Sequence, residues 1–232
     1  MSDTFESQQD WRYERKFLVE DCDMPTLEQT ILTNRMYFRK LYAERQINNI
    51  YFDTEDFSCF VQNVDGQAER RKMRLRWYGE TFGHVASPVL EIKIKQALVG
   101  CKRRYKLQPF DIAKSFDKRT ISDCLARSEL PETVANALTT MQPTLLNSYI
   151  RRYYISSDQR YRLTLDYKQS FYTVAAGGKT EFRQRKSDDL IIEIKYDSND
   201  DDDISLISNE FPFRMTKSSK YVQGISSTLL NI

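Results

Sequence analysis

Histidine is almost absent from this chain of 232 residues: there is one, His84, in the Gly-containing stretch FGHVAS. Ser-His-Asp and Cys-His nucleophilic catalysis and histidine-rich metal sites are poor readings on that ground, and His84 reads as a loop residue. Cysteine is also scarce. The four stand at 22, 59, 101 and 124, with no CxxC pair. Neither a zinc cluster nor a disulfide framework is indicated, and a reducing compartment fits best. A one-sided charge is missing too: 35 Lys and Arg against 33 Asp and Glu leave a formal net charge of +2, less than a generally basic nucleic-acid binder carries. No apolar run approaches the ~18–20 residues of a membrane span. The start, MSDTFESQQD, is polar and acidic rather than a secretory signal. A cytoplasmic location is the expectation.

What is present describes a globular chain, with 40% hydrophobic and 29% charged residues. Strands are read at 11–20, 46–53, 70–78, 88–96, 101–107, 147–156, 160–168, about 169–175, 181–186 and 189–197. A tight link through Gly100 joins the fourth and fifth. Residues 24–38 have helical spacing, with Thr26 as the cap. TEDFSCFVQNVDG reads as a short amphipathic turn or helix ending at Gly66, and 111–142 as a helical insertion with Pro131 opening its second helix. A last helix is read over 215–230. Helices interrupting hairpin-connected strands make an α+β domain with an antiparallel sheet, spanning 11–232 after a polar tail at 1–10. The only biased segment, DSNDDDD at 197–203, lacks the glycine and final glutamate of a calcium loop and reads as a solvated acidic loop.

The strand KMRLRW (72–77) alternates in an unusual way. Met73, Leu75 and Trp77 lie on one face, and Lys72, Arg74 and Arg76 on the other. For one strand, a solvated face is an adequate explanation. The device recurs, however. Glu14 and Lys16 share a face, as do Glu91, Lys93 and Lys95; Lys102, Arg104 and Lys106; Tyr149 and Arg151; Arg160, Arg162, Thr164 and Asp166; and Glu193 and Lys195. If the apolar faces pack on helices, the charged faces turn inward. A closed sheet would then enclose a lumen of about ten cations and a few carboxylates. Such a lumen is unfavourable when empty, because clustered like charges repel and lose hydration. An elongated polyanion would relieve it.

RYERKF, RLRWYG, LEIKIK, CKRRYKL, SYIRRYY, RYRLTLDYK, IIEIKYD and TKSSKY, in this order, resemble the VTC-type polyphosphate polymerases of the CYTH-like triphosphate tunnel metalloenzymes, from about residue 11 to 226. The resemblance implies an antiparallel eight-stranded closed β-barrel with helices packed outside. It also implies transfer of the γ-phosphoryl group of ATP onto a growing polyphosphate chain with a divalent metal, Mn²⁺ or alternatively Mg²⁺. By resemblance, Lys16 matches the first-strand lysine and Arg74 and Arg76 the paired arginines of the RxRWYG strand. Lys93 matches the lysine of the ExK strand, Lys102 the basic residue of the next, and Arg151 and Arg162 the arginines of YxR and RxxLD. Lys217 and Lys220 match the KxSK lysines opening the last helix. Tyr149 and Ser219 are the implied substrate-binding partners, with Arg104 and Lys195 beside them, and Glu193 the implied metal ligand. The implied partners are ATP and polyphosphate or triphosphate, not nucleic acid. Eukaryotic relatives carry membrane segments, so a separate membrane-protein partner is left open.

The chemistry suits these residues. Phosphoryl transfer needs alignment and charge neutralisation more than covalent help, arginine forks grip phosphate oxygens, and an anionic nucleophile needs no base. One departure stands out. The hydrolytic tunnel enzymes open with ExExK, whereas this chain has Arg12, Glu14 and Lys16, which favours the polymerase branch. Glu14 and Glu91 either assist the metal or pair with neighbouring cations. GGKT at 177–180 lacks the first glycine of a phosphate loop and reads as a hairpin turn. The alternatives are an inorganic triphosphatase or nucleotidyl cyclase, or a non-catalytic polyphosphate-binding module. Single-stranded nucleic acid fits poorly, because Trp77, Tyr161 and Tyr167 lie opposite the cations.

Overall fold

A computed structural model describes residues 12–96, 99–113, 118–174, 184–197 and 200–230. The GGKT stretch, the N-terminal tail, residues 97–98 and the side chains of Arg12 and Lys95 lie outside them. In chain order the strands and helices are β1 (Arg12–Val19), α1 (Met24–Thr33), β2 (Arg39–Asp53), α2 (Ser58–Val64), β3 (Arg70–Tyr78), β4 (Gly83–Val85), β5 (Val89–Gln96) and β6 (Val99–Lys106). After them come β7 (Phe110–Ile112), α3 (Lys118–Ala126), α4 (Glu132–Thr139), β8 (Gln142–Ile155), β9 (Arg162–Thr173), β10 (Gln184–Ser187), β11 (Leu190–Asp197), α5 (Asp201–Ser208), β12 (Arg214–Met215) and α6 (Lys220–Ile225), which runs on as a π-helical segment, Ser226–Leu230.

The large sheet is antiparallel, in the order β12-β1-β11-β9-β8-β2-β3-β5-β6, with β10 paired to β9. It therefore has ten strands rather than eight, and among the described residues it is not closed into a barrel. β6 and β1 do not pair; the free side of β1 is taken instead by β12, through Phe17–Met215 and Leu18–Arg214. The sheet is nevertheless strongly curled. Glu14 on β1 comes within 3.9 Å of Lys93 on β5, although five strands separate them along the ladder. No helix among the described residues is long and apolar enough to cross a membrane.

The convex face packs as its alternation predicts. Met73, Leu75, Trp77, Leu90 and Ile92 bury against Ile121, Cys124 and Val134 of α3 and α4. Phe17, Leu163, Leu165, Ile192 and Ile194 bury against Leu27 and Ile31 of α1 and Ile204 and Ile207 of α5. One helix departs from the expectation of helices outside. In α6, Tyr221 and Ile225 pack on Tyr51, Leu145 and Phe171, all on the concave face, and so form its floor. Gly224 permits this approach: a Cβ there would stand 2.3 Å from Leu145 Cδ2.

Local chemistry sets several boundaries. α1 is capped by Asp23, whose carboxylate accepts the Thr26 N–H at 2.8 Å, so Thr26 is the capped residue and not the cap. α2 begins after Phe57, in the left-handed region, and its first free N–H groups, on Cys59 and Phe60, donate to Asp53 at 2.8 and 2.9 Å. Gly66, at φ +69°, lies just beyond its end. The acidic run is not wholly a loop, because residues from Asp201 open α5. Gly100 lies within β6, opposite Lys95, so it is not the link between β5 and β6.

Candidate anion-binding site

The ladder fixes which side chains share the concave face. Lys72 pairs with Lys93, Arg74 with Glu91, Lys93 with Lys102, Glu91 with Arg104, Glu14 with Lys195 and Lys16 with Glu193. Partners directly opposite in a sheet point to the same side, so cations expected on six strands converge here.

They gather in three clusters, each around a carboxylate. Glu91 is buried and holds four cations: Arg74 at 2.7 Å, Lys102 at 2.7 Å, Arg104 at 3.2 Å and Arg76 at 3.4 Å. Burial alone would raise its carboxyl, but Arg74, Arg76 and Lys102 hold it far below the usual range. The second cluster centres on Asp166, which has no exposed surface. Arg151 binds it bidentately at 2.5 and 2.7 Å, and Lys220 reaches it from α6 at 2.5 Å. Both cations also lie over the ring of Tyr149, Lys220 Nζ at 4.6 Å and the Arg151 guanidinium at 5.4 Å. The third cluster joins Glu193 to Lys195 at 2.7 Å and Lys16 at 3.6 Å, and Lys16 to Glu14 at 2.8 Å. Burial opposes the charge of Glu193, yet Lys195 and Lys16 keep its carboxyl well below its ordinary value.

The segment before α6 bridges these clusters. Lys16 donates to the Ser218 carbonyl at 3.0 Å, and Lys72 donates to the Ser219 hydroxyl at 3.3 Å. Lys72 matches no motif residue, but it is part of this face. Burial, reinforced by Lys16, Arg70, Lys93 and Arg74, pushes its ammonium down to about 7. Lys102 is pushed to about 7 by burial and by Arg74 and Arg76, against the pull of Glu91.

Two expected residues stand apart. Arg162, opposite Lys195 in the ladder, and Lys217, on the extended segment before α6, are both exposed. The last helix starts at Lys220 rather than 215, and its α-helical part is six residues long, so the lysine-to-phosphate reading of this segment rests on side chains and not on a helix end. What the strand-by-strand reading missed is Asp166 as a counter-charge. It was visible two residues along from Thr164 on the cationic face. A second signal is a set of buried polar atoms with no partner, including Asn49 Nδ2, Asn147 Oδ1 and Thr164 Oγ1. Asn49 pairs with Arg76 in the ladder, and Thr164 with Glu193.

Among the described residues no group of three His, Cys, Asp or Glu side chains could hold a metal by itself. The oxygens present fit a hard cation that brings phosphate with it: Glu193, with Glu14 nearby and the unpartnered Thr164 hydroxyl beside it.

The three clusters, with Lys72 and with Lys93 beside Glu14, set ten cations against four carboxylates that are themselves mostly buried. A curled antiparallel sheet with such a face has the charge and the shape to receive an elongated anion. Residues 11–229 match the VTC domain, and the chain belongs to that family. No curated protein matches it. Among solved structures, it is similar to a proposed adenylyl cyclase from Hippeastrum, described as having a dominant triphosphatase activity, with TM-score 0.52 at 16% identity over 93% of this chain and 96% of that one. A proposed adenylate cyclase of Vibrio parahaemolyticus gives TM-score 0.49 at 12% identity, covering 92% and 97%. A protein of Pyrococcus horikoshii gives 0.48 at 12%, covering 93% and 96%.

Proposed function

We propose that the chain is a polyphosphate polymerase that transfers the γ-phosphoryl group of ATP onto the end of an inorganic polyphosphate chain lying along the concave face. The observation that carries this reading is the state of the carboxylates. Each is paired with at least two cations: Glu14 with Lys16 and Lys93, Glu91 with Arg74 and Lys102, Asp166 with Arg151 and Lys220, and Glu193 with Lys195 and Lys16, and this pairing favours their ionised form against the effect of burial. Carboxylates held so firmly ionised are poor bases near neutral pH. A terminal phosphate is already anionic and needs no base, whereas water must be activated. Family membership and the excess of cations support the same reading.

In this mechanism Arg74 and Arg76 grip the donor phosphates, with Lys102 and Arg104 sharing the load that Glu91 carries in the free protein. Arg151 and Lys220, set by Asp166 and the ring of Tyr149, align the phosphates at the floor. Lys16, Lys93 and Lys195 receive the other end of the chain, with Ser219 beside them and Arg162 and Lys217 at the periphery. Charge that builds on the transferred group falls among donors already in place. Glu193, with Glu14 and the Thr164 hydroxyl nearby, would hold a divalent metal, Mn²⁺ or Mg²⁺, whose contribution would be neutralisation of phosphate charge. Cytoplasmic placement, where ATP and reduced thiols occur together, belongs to the same proposal.

Incubation with ATP and Mn²⁺, with products separated by gel electrophoresis and anion exchange, should yield polyphosphate and ADP. Orthophosphate as the sole phosphate product would replace this reading with a triphosphatase, the activity described for the Hippeastrum protein.

A further inference from the structure

One end of the concave face ends in three aromatic rings around a single arginine. Tyr78 lies two residues beyond Arg76 on β3, and Tyr153 two residues beyond Arg151 on β8, so both point to the concave side. Arg45 of β2 lies opposite Arg151 in the ladder, and Tyr42 lies opposite Tyr153. The four side chains meet. The Arg45 guanidinium stands 5.4 Å from the ring of Tyr42, 5.7 Å from Tyr78 and 5.8 Å from Tyr153. The Tyr42 and Tyr153 rings meet edge to face at 5.8 Å. Tyr42 is 55% and Tyr78 54% exposed. Among the described residues, Arg45 makes no ion pair or hydrogen bond; only the three rings hold it.

We propose that this rim binds the base of a nucleoside triphosphate, so that the chain selects a nucleotide over inorganic triphosphate as phosphoryl donor. The ring faces themselves give a phosphate chain little to hold, but they suit a planar heterocycle, which stacks on tyrosine or on a guanidinium plane. Arg45 also keeps free donors for the ring nitrogens of a base. The placement fits the order of groups in a nucleotide. The rim begins one residue pair beyond Arg76 and Arg151, where a sugar and base would emerge from a triphosphate lying among the cations. The inference rests on the reading that the concave face holds the triphosphate.

Calorimetric titrations with the β,γ-imido analogue of ATP and with inorganic tripolyphosphate, both with Mn²⁺, separate the two claims. The wild type should bind both, the nucleotide more tightly. Tyr42→Ala and Tyr78→Ala should each weaken the nucleotide analogue about tenfold and leave tripolyphosphate unchanged. Tyr78→Trp, which keeps a stacking surface, should restore nucleotide binding. Equal losses for the two ligands, or no loss for the nucleotide, would overturn the rim while leaving the concave-face reading in place. A wild type that binds neither ligand would overturn both.

Discussion

At the scale of single residues, Glu91 and Asp166 are what make the cationic face foldable. Each removes repulsion among cations that the ladder forces together, and each is buried. Removing one partner from a buried charge cluster costs about 3–5 kcal/mol. Glu91→Gln should lie near the lower end, about 3 kcal/mol, because Arg104 and Lys102 are part-exposed and can turn to water. Urea unfolding should show this loss, and saturating tripolyphosphate should return more stability to the variant than to the wild type, since it supplies the missing negative charge. An equal ligand-induced gain in both proteins would mean that Glu91 does not share its cations with the ligand. The lysines give a pH signature. Lys72 and Lys102, at about 7, are largely neutral in the free protein above pH 8. The unfolded chain keeps those protons up to the ordinary lysine range, so on their account stability rises with pH from about 7 to about 10. A triphosphate would recharge both. Binding between pH 8 and 9 should therefore take up protons and weaken as pH rises. Titrations in buffers of different ionisation enthalpy measure the uptake, and zero uptake would exclude these lysines from the site. Period-two alternation was enough to place Arg74, Arg76, Lys93, Lys102, Arg151 and Glu193 on one face. It could not show which carboxylate answers which cation, because that depends on neighbours across the ladder.

At the scale of elements, legibility followed the clarity of the alternation. β3, β5 and β11 have one apolar and one charged face and were readable almost to the residue. β2 was read over 46–53 but runs from Arg39. Its first half is largely exposed on both faces, and irregularities between Lys40 and Tyr42 and between Tyr42 and Arg45 break the period. The aromatic rim was hidden for the same reason. Lys168, at φ +50°, likewise divides what is one strand, β9, into the two that the pattern suggested. α6 was read too long because TKSS is compatible with helix, whereas Thr216 N–H is already committed to the Lys16 carbonyl at 2.8 Å. This helix carries Lys220 into the site, and its seat depends on Gly224. In Gly224→Ala the new methyl would press on Leu145 and Phe171, both almost wholly buried. Overpacking of this kind costs about 1–3 kcal/mol. If it tilts α6, the Lys220–Asp166 contact goes with it. Polymerisation from ATP should fall more steeply in Gly224→Ala than the unfolding midpoint does, and full activity in a destabilised variant would show that the position of α6 does not govern the site.

At the scale of the molecule, the expected closed barrel is, among the described residues, a curled sheet whose β1 and β6 do not pair. The cationic character was legible; the closure was not, because closure depends on which strand takes the free edge of β1, and the two-residue β12 gives almost no signal in sequence. Side chains span the seam where the ladder does not: Glu14 to Lys93, Lys16 to Ser218 and Lys72 to Ser219. All three contacts use lysines of the concave face, so a ligand bound there would act on the same contacts that hold the curl of the sheet. A polyphosphate lying along the face would cross-link the same strands more strongly than these contacts do, and it has no comparable site on the unfolded chain. By mass action, a ligand at a hundred times its Kd adds about 2.7 kcal/mol to stability, and for a chain of this size each kcal/mol moves the midpoint by about 2–4 °C. Tripolyphosphate at saturation should therefore raise the melting temperature by about 5–10 °C. Longer polyphosphate should raise it further, because it reaches all three clusters at once, and added salt should shrink both gains. An unchanged melting temperature at millimolar tripolyphosphate in low salt would mean that these ten cations neutralise nothing but one another's carboxylates, and that the concave face is not a binding surface.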